Sequence, residues 1–352
     1  MAQKTWIGFA GTYTKKESEG IYSFLLDTEE GKIKDVKVAG KIGNPTYLCI
    51  SEDNRFLYSV AKDGDNGGVA SFKIQPETRE LTFINSQVSP GSPPCHVSID
   101  TKGQYLFTSN YHKGTVDLHQ VNPETGEIAP ASSTVQHVGS GPDHRQEKAH
   151  THYAGLTPDE KYVVAIDLGG DAVYSYKIQD GKLVEVAKLQ VTPGSGPRHI
   201  VFHPIKPSLA YLITELSSEA VVLKYESETG QFTELQRLFL IPDDFTENNQ
   251  ASAIHISKDG RFLYAANRGH NSIAIFRVSE DTGLLEPVDR VSTEGDWPRD
   301  FVLDPTENFL IASNQNSGTL TLFKRNKDTG KLELLQKDIK VPEVVCVKFL
   351  HN

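Results

Sequence analysis

Apolar and polar residues alternate in short runs along the whole chain, and the runs stop at Gly, Asp or Asn turns. Ser252 to Ser279 shows the unit. A run with Ile254 and Ile256 on one side meets the turn Lys258-Asp259-Gly260, and further runs cover Phe262 to Asn267 and Ile273 to Val278. Period-two alternation between such turns predicts β-strands joined by hairpins, and a long fixed period predicts a repeat architecture. Aligning the first strand of each unit gives Tyr47, His96, His152, His199, Ala253, Asp300 and Val344, at intervals of 49, 56, 47, 54, 47 and 44 residues. Seven copies at about 40–50 residues predict an all-β fold, a seven-bladed β-propeller of four-stranded antiparallel blades.

Turn chemistry predicts the same number. A hairpin late in each unit carries Thr28 to Gly31, Glu77 to Arg79, Glu124 to Gly126, Gln179 to Gly181, Glu228 to Gly230, Asp281 to Gly283 and Asp328 to Gly330, seven in all. The hairpin between the first two strands occurs six times, at Glu52 to Asn54, Thr101 to Gly103, Pro158 to Glu160, Pro204 to Pro207, Lys258 to Gly260 and Pro305 to Glu307. The missing one falls at the chain termini. Val344 to Leu350 is therefore expected to be the innermost strand of a blade completed by Trp6 to Gly11, Gly20 to Leu26 and Ile33 to Ala39, closing the ring and leaving no open edge at the seam. No linker or composition break interrupts residues 1–352, and one domain is expected.

In a propeller, first-strand starts and second-strand ends meet at one mouth of the central channel. The first set holds His96, His150, His152, Arg198, His199, Arg299 and Asp300, and the second holds Asn110, Asp167, Glu215, Asn267 and Asn314, with Tyr111 and Arg268 one residue later. The repeated Asn and Asp are expected to satisfy blade backbone. Glu215 breaks that pattern with a longer carboxylate. Of the longer connections, His137 to Ala149 is expected to deliver His144, Arg145 and Gln146 toward His150 and His152, and Ile241 to Gln250 is a second binding segment.

Composition narrows the partners. The formal net charge of −10 excludes a basic nucleic-acid footprint, so an anionic substrate needs local arginines to capture it. Arg198, Arg268 and Arg299 suit a carboxylate or phosphate, with ion pairs to Glu215 or Asp300 as the alternative. Cys49, Cys95 and Cys346 read as reduced core residues, and no apolar run resembles a signal peptide or a membrane span. A soluble cytoplasmic protein is expected. The His150-x-His152 spacing is compatible with a metal pair but lacks a second ligand cluster, so neither a metal nor a cofactor is expected.

Several motifs resemble a known family: Gly11-Thr12-Tyr13-Thr14, Ser109-Asn110-Tyr111 with Gly114, Arg145-Gln146 before His150-Thr151-His152, Gly196-Pro197-Arg198-His199, Thr214-Glu215-Leu216 and Ala266-Asn267-Arg268. They are similar to the seven-bladed propeller lactonases of the 6-phosphogluconolactonase type, to which fungal carboxy-cis,cis-muconate cyclase is also similar. The resemblance implies a hydrolase of 6-phospho-D-glucono-1,5-lactone in the pentose phosphate pathway. It also implies a catalytic set of His150, Arg198, Glu215 and Arg268. Arg145, His152, His199, Arg299, Asn110 and Tyr111 are expected to meet the substrate.

The residue types suit the chemistry. Water attacks a lactone carbonyl, with His150 or Glu215 as general base, and guanidiniums steady the oxyanion and hold a phosphate. No G-x-S-x-G nucleophile motif is present. The alternatives are a muconate-cyclase-like enzyme, a sugar lactonase holding a divalent ion on Glu215 and Asp167, and a non-enzymatic binding propeller.

Overall fold

The computed structural model describes residues 3–352. They form seven four-stranded antiparallel blades, a seven-bladed β-propeller. The turns that announce the blades carry the expected backbone. Gly31, Gly126, Gly181, Gly230, Gly283 and Gly330 all have positive φ in the late hairpins, and so does Arg79 where no glycine stands. In the first hairpins Asn54, Gly103, Glu160, Gly260 and Glu307 take the same conformation.

Burial follows strand position. Second strands such as Leu209–Thr214 and Val163–Asp167 are buried along their whole length, which explains their continuous apolar runs. Fourth strands such as Lys182–Gln190 and Gln231–Phe239 are outer edges with mostly exposed side chains, and the charges of Lys182, Glu185, Lys188, Glu234 and Arg237 interrupt their apolar positions and discourage pairing with other chains.

The strands fall into two compact units. One runs to Leu106 and includes His119–Pro130 and Thr293–Asn352. There the last strand, Val344–Phe349, pairs antiparallel with Thr5–Thr12, with Gly8 opposite Phe349 and Thr12 opposite Val344. The blade continues through Gly20–Asp27 and Lys32–Lys41. Both chain ends thus share one blade, as the missing hairpin implied. Phe24 meets Phe349 edge-on, with centroids 5.6 Å apart, in a core that includes Trp6, Ile311, Val344 and Val347. A Cβ on Gly8 would lie 2.2 Å from the Phe24 ring, so the strand needs glycine there.

The other unit comprises Phe107–Leu118 and Ala131–Ser292. Its whole blades begin with Thr151–Leu156, Pro197–Phe202 and Gln250–Ile256. Tyr162, Val164 and Val173 of one blade pack with Ile200, Leu212 and Tyr225 of the next, and Tyr211 and Val222 pack with Leu263 and Phe276. Blades stacked in this way hold their first-strand starts in a fixed relation.

Those starts are irregular. The register slips between Thr151 and Tyr153 and between Pro197 and His199, leaving His152 and Arg198 as bulged residues. In the first unit a slip between Pro298 and Asp300 does the same for Arg299. A bulge re-aims one side chain relative to its neighbours.

The cysteines are thiols, with Cys346 buried and Cys49 and Cys95 only partly so, a shallower placement than the core positions expected. Among the described residues no helix is long and apolar enough to cross a membrane.

Candidate active site

Glu215 follows the buried strand Leu209–Thr214. Its backbone N–H donates to Gly196 O at 2.7 Å, and its carbonyl accepts from Ala251 N at 3.2 Å. The main chain is thereby pinned to the start of its own blade and of the next. Its side chain is 3% exposed. Oε1 accepts from Arg268 Nη2 at 2.6 Å and from Arg145 Nη2 at 3.1 Å, while Arg198 Nε lies 3.7 Å from Oε2. Burial alone would push this carboxyl up, but Arg268, Arg198 and Arg145 outweigh it and bring it down to about 2. Three guanidiniums around one carboxylate leave a local charge of +2 (3 − 1) in a chain whose net charge is −10.

Each arginine arrives by a different route. Arg198 sits at the bulge and donates through Nη1 to Ser252 O at 2.7 Å. Arg268 ends the strand Phe262–Arg268 and donates through Nε to Gln250 O at 3.0 Å. Both are buried. Arg145 comes from the loop after His137, and its side chain, 27% exposed, is the most accessible of the three, although its Nη1 is buried without a hydrogen-bond partner.

The loop is anchored on both sides of Arg145. His137 is buried, with Nδ1 3.3 Å from Asp167 Oδ2 and Nε2 2.8 Å from Tyr176 Oη. Gln146 is buried and donates to Leu168 O at 2.8 Å. A Cβ on Gly169 would lie 1.8 Å from the Lys148 carbonyl, so only glycine lets the loop approach this closely. Of the three residues expected at the site, Arg145 reaches it and Gln146 serves as the anchor. His144 turns outward, 87% exposed and 3.2 Å from Asp143, because its neighbours take the inward positions.

His150 is buried beside this cluster. Its ring stacks on Tyr111 with centroids 4.1 Å apart and planes 18° apart. Nδ1 donates to Tyr111 O at 2.7 Å, and Nε2 faces Glu147 Oε1 at 2.9 Å. Tyr111 links the two halves, because its hydroxyl accepts from Arg145 Nη2 at 3.4 Å. Burial raises the Tyr111 phenol above its ordinary value, so it stays a protonated donor. Sequence reasoning missed Glu147. Its spacing of three residues from His150 was the available signal.

The remaining candidates divide. His152 Nδ1 lies 3.2 Å from His199 Nε2, a buried imidazole pair. Asn110 Oδ1 accepts from Lys113 N at 2.9 Å, and Asn267 donates to Leu240 O at 3.1 Å, as expected of residues that satisfy blade backbone. Asp167 accepts from His150 N and Gly170 N; burial pushes its carboxyl up, but these bonds and His137 hold it below the ordinary range. Arg299 belongs to the other unit, where it donates to Tyr13 Oη at 3.1 Å and lies over the Tyr13 ring. Among the described residues no three His, Cys, Asp or Glu side chains gather as a metal site.

This fold, with a charged cluster on one group of its blades, defines a class. The profile of the family described as "Lactonase, 7-bladed beta-propeller" matches residues 7–349, and the chain belongs to that family. It is 54% identical over 347 residues to the 6-phosphogluconolactonase of Bacillus subtilis, covering 99% of both chains. Among solved structures it is similar to a Lactobacillus plantarum protein, with a TM-score of 0.94, 45% identity and coverage of 98% of this chain and 99% of that one. The periplasmic gluconolactonase of Pseudomonas aeruginosa matches with a TM-score of 0.93 at 32% identity, covering 98% of this chain and 99% of the other.

Proposed function

We propose that this lactonase hydrolyses 6-phospho-D-glucono-1,5-lactone to 6-phosphogluconate, feeding the pentose phosphate pathway. The carrying observation is the cluster of Arg145, Arg198 and Arg268 on an ionised Glu215. Its surplus positive charge suits a phosphate and the oxyanion that develops when water attacks the ring carbonyl. The 54% identity to a 6-phosphogluconolactonase supports the same substrate.

Within this reading the roles follow from burial and partners. Glu215 serves as the anchor that aligns the arginines, because both of its oxygens are turned onto guanidiniums. Buried Arg198 and Arg268 steady the oxyanion, and the more accessible Arg145, whose buried Nη1 has no partner, holds the phosphate with the Tyr111 hydroxyl beside it. The proton transfers fall to the His150 end of the site. The His152–His199 pair lines the substrate's path. A cytoplasmic location fits the three thiols, since disulfides are rare in reducing compartments.

The test is hydrolysis of freshly made 6-phosphogluconolactone, compared with unphosphorylated gluconolactone, with and without a chelator, after subtraction of the spontaneous rate. A preference for the phosphorylated lactone that survives chelation is expected. Equal rates would favour the sugar lactonase reading, and loss in chelator would favour a divalent ion.

A further inference from the structure

The His150 end of the site contains a carboxylate whose role neither the motifs nor the arginine cluster explains. Both ring nitrogens of His150 face acceptors, the Tyr111 carbonyl at 2.7 Å and the Glu147 carboxylate at 2.9 Å. Nδ1 must donate to that carbonyl, so Nε2 is the one nitrogen that could take a proton, and it is turned onto the Glu147 carboxylate instead of a water. Glu215 is no better placed, with its carboxylate inside the guanidinium cluster. Glu147 differs from both. It meets the ring through Oε1, yet 58% of its side chain is exposed, so its carboxylate still reaches solvent.

Its position is also fixed by its neighbours. Gln146 is buried and bonded to Leu168 O, while Lys148 packs its carbonyl against Gly169 and donates from Nζ to His112 O at 2.6 Å. An exposed carboxylate between two anchored residues, tethered to a buried imidazole, is held in place for use rather than left to roam.

We propose that Glu147 is the general base of the lactonase reaction and that His150 is the positioning residue that holds it. This rests on the lactonase reading and deepens it. Glu147 takes a proton from water as the water oxygen bonds to the lactone carbonyl carbon, whose carbonyl electrons move onto the oxyanion. The oxyanion then collapses and breaks the bond to the ring oxygen, which takes the same proton back from Glu147. Water is consumed, the hydroxy acid forms, and Glu147 returns to its ionised state.

The test uses the full-length protein on 6-phosphogluconolactone. Glu147→Gln should lower kcat by ~100-fold or more with KM within about threefold, as for a lost proton transfer. Its thermal midpoint should match the wild type, because the side chain is mostly exposed. In Glu147→Ala, added formate should restore activity by ~10-fold by supplying the missing carboxylate, which a merely structural role would not permit. A Glu147→Gln variant within about threefold of wild-type kcat, or an alanine variant indifferent to formate, would overturn the proposal while wild-type turnover leaves the lactonase reading intact. A wild type inert on every lactone tried would overturn both.

Discussion

Arg268 Nη2 donates to Glu215 Oε1 at 2.6 Å, and both side chains are buried. The two residues come from consecutive blades, one at the end of Phe262–Arg268 and the other just past Leu209–Thr214. Glu215 is also the counter-charge of Arg145 and Arg198. One carboxylate therefore holds three guanidiniums that would otherwise repel each other.

Replacing Glu215 with Gln should cost about 3–5 kcal/mol, the usual range when one member of a buried ion pair is removed. Denaturant unfolding measures this directly, and kcat should fall as the arginines lose alignment. An unchanged midpoint together with full activity would remove Glu215 from the assignment.

Acid should erase that stability difference. The Glu215 carboxyl is lowered from 4.5 to about 2, so its contribution is complete above the unfolded value and is lost as pH falls through the folded one. The gap between wild type and Glu215→Gln should be constant above about pH 5 and narrow steadily toward pH 2. A gap independent of pH down to 2 would contradict the ion-pair account.

Arg145 should govern phosphate preference, because its side chain is the most exposed of the three. Arg145→Lys keeps the charge but loses the planar fork, and should raise KM for the phosphorylated lactone by ~10-fold while leaving the unphosphorylated lactone nearly unaffected. Equal losses on both substrates would assign Arg145 to the carbonyl end instead.

Tyr111 makes two separable contacts. Tyr111→Phe keeps the stack on His150 and removes the link to Arg145, whereas Tyr111→Ala removes both. The phenylalanine variant should affect mainly KM. The alanine variant should also lower kcat, by about 10-fold, as an aromatic contact worth roughly 0.5–1.5 kcal/mol is lost. Identical kinetics for the two variants would show that the stack plays no part.

Truncation before Val344 should prevent normal folding. The lost strand pairs with Thr5–Thr12 and supplies Val344, Val347 and Phe349 to the core, and its removal exposes the edge of Thr5–Thr12. Aggregation or a broad melting transition is expected, and a sharp melt at the wild-type temperature would count against it.

The blade count, the turn positions and the pairing of the chain ends were legible in the residues, because a tight hairpin and period-two alternation are local properties. All but the Pro204 to Pro207 turn use a positive φ that the local sequence supplies, and seven late hairpins against six early ones left one arrangement for the termini. Family motifs put forward His150, Arg198, Glu215 and Arg268 as candidates. Which partner each would take was decided only by tertiary packing. Arg145 and Arg268 lie 70 and 53 residues from Glu215, and only blade stacking and an anchored loop bring them to one oxygen. The bulges that single out His152 and Arg198 depend on strand pairing, and no residue type announces them. The opposite fates of His144 and Arg145, neighbours in sequence, have the same cause: the buried Gln146 fixes the loop, and only one of the two side chains can then face the site.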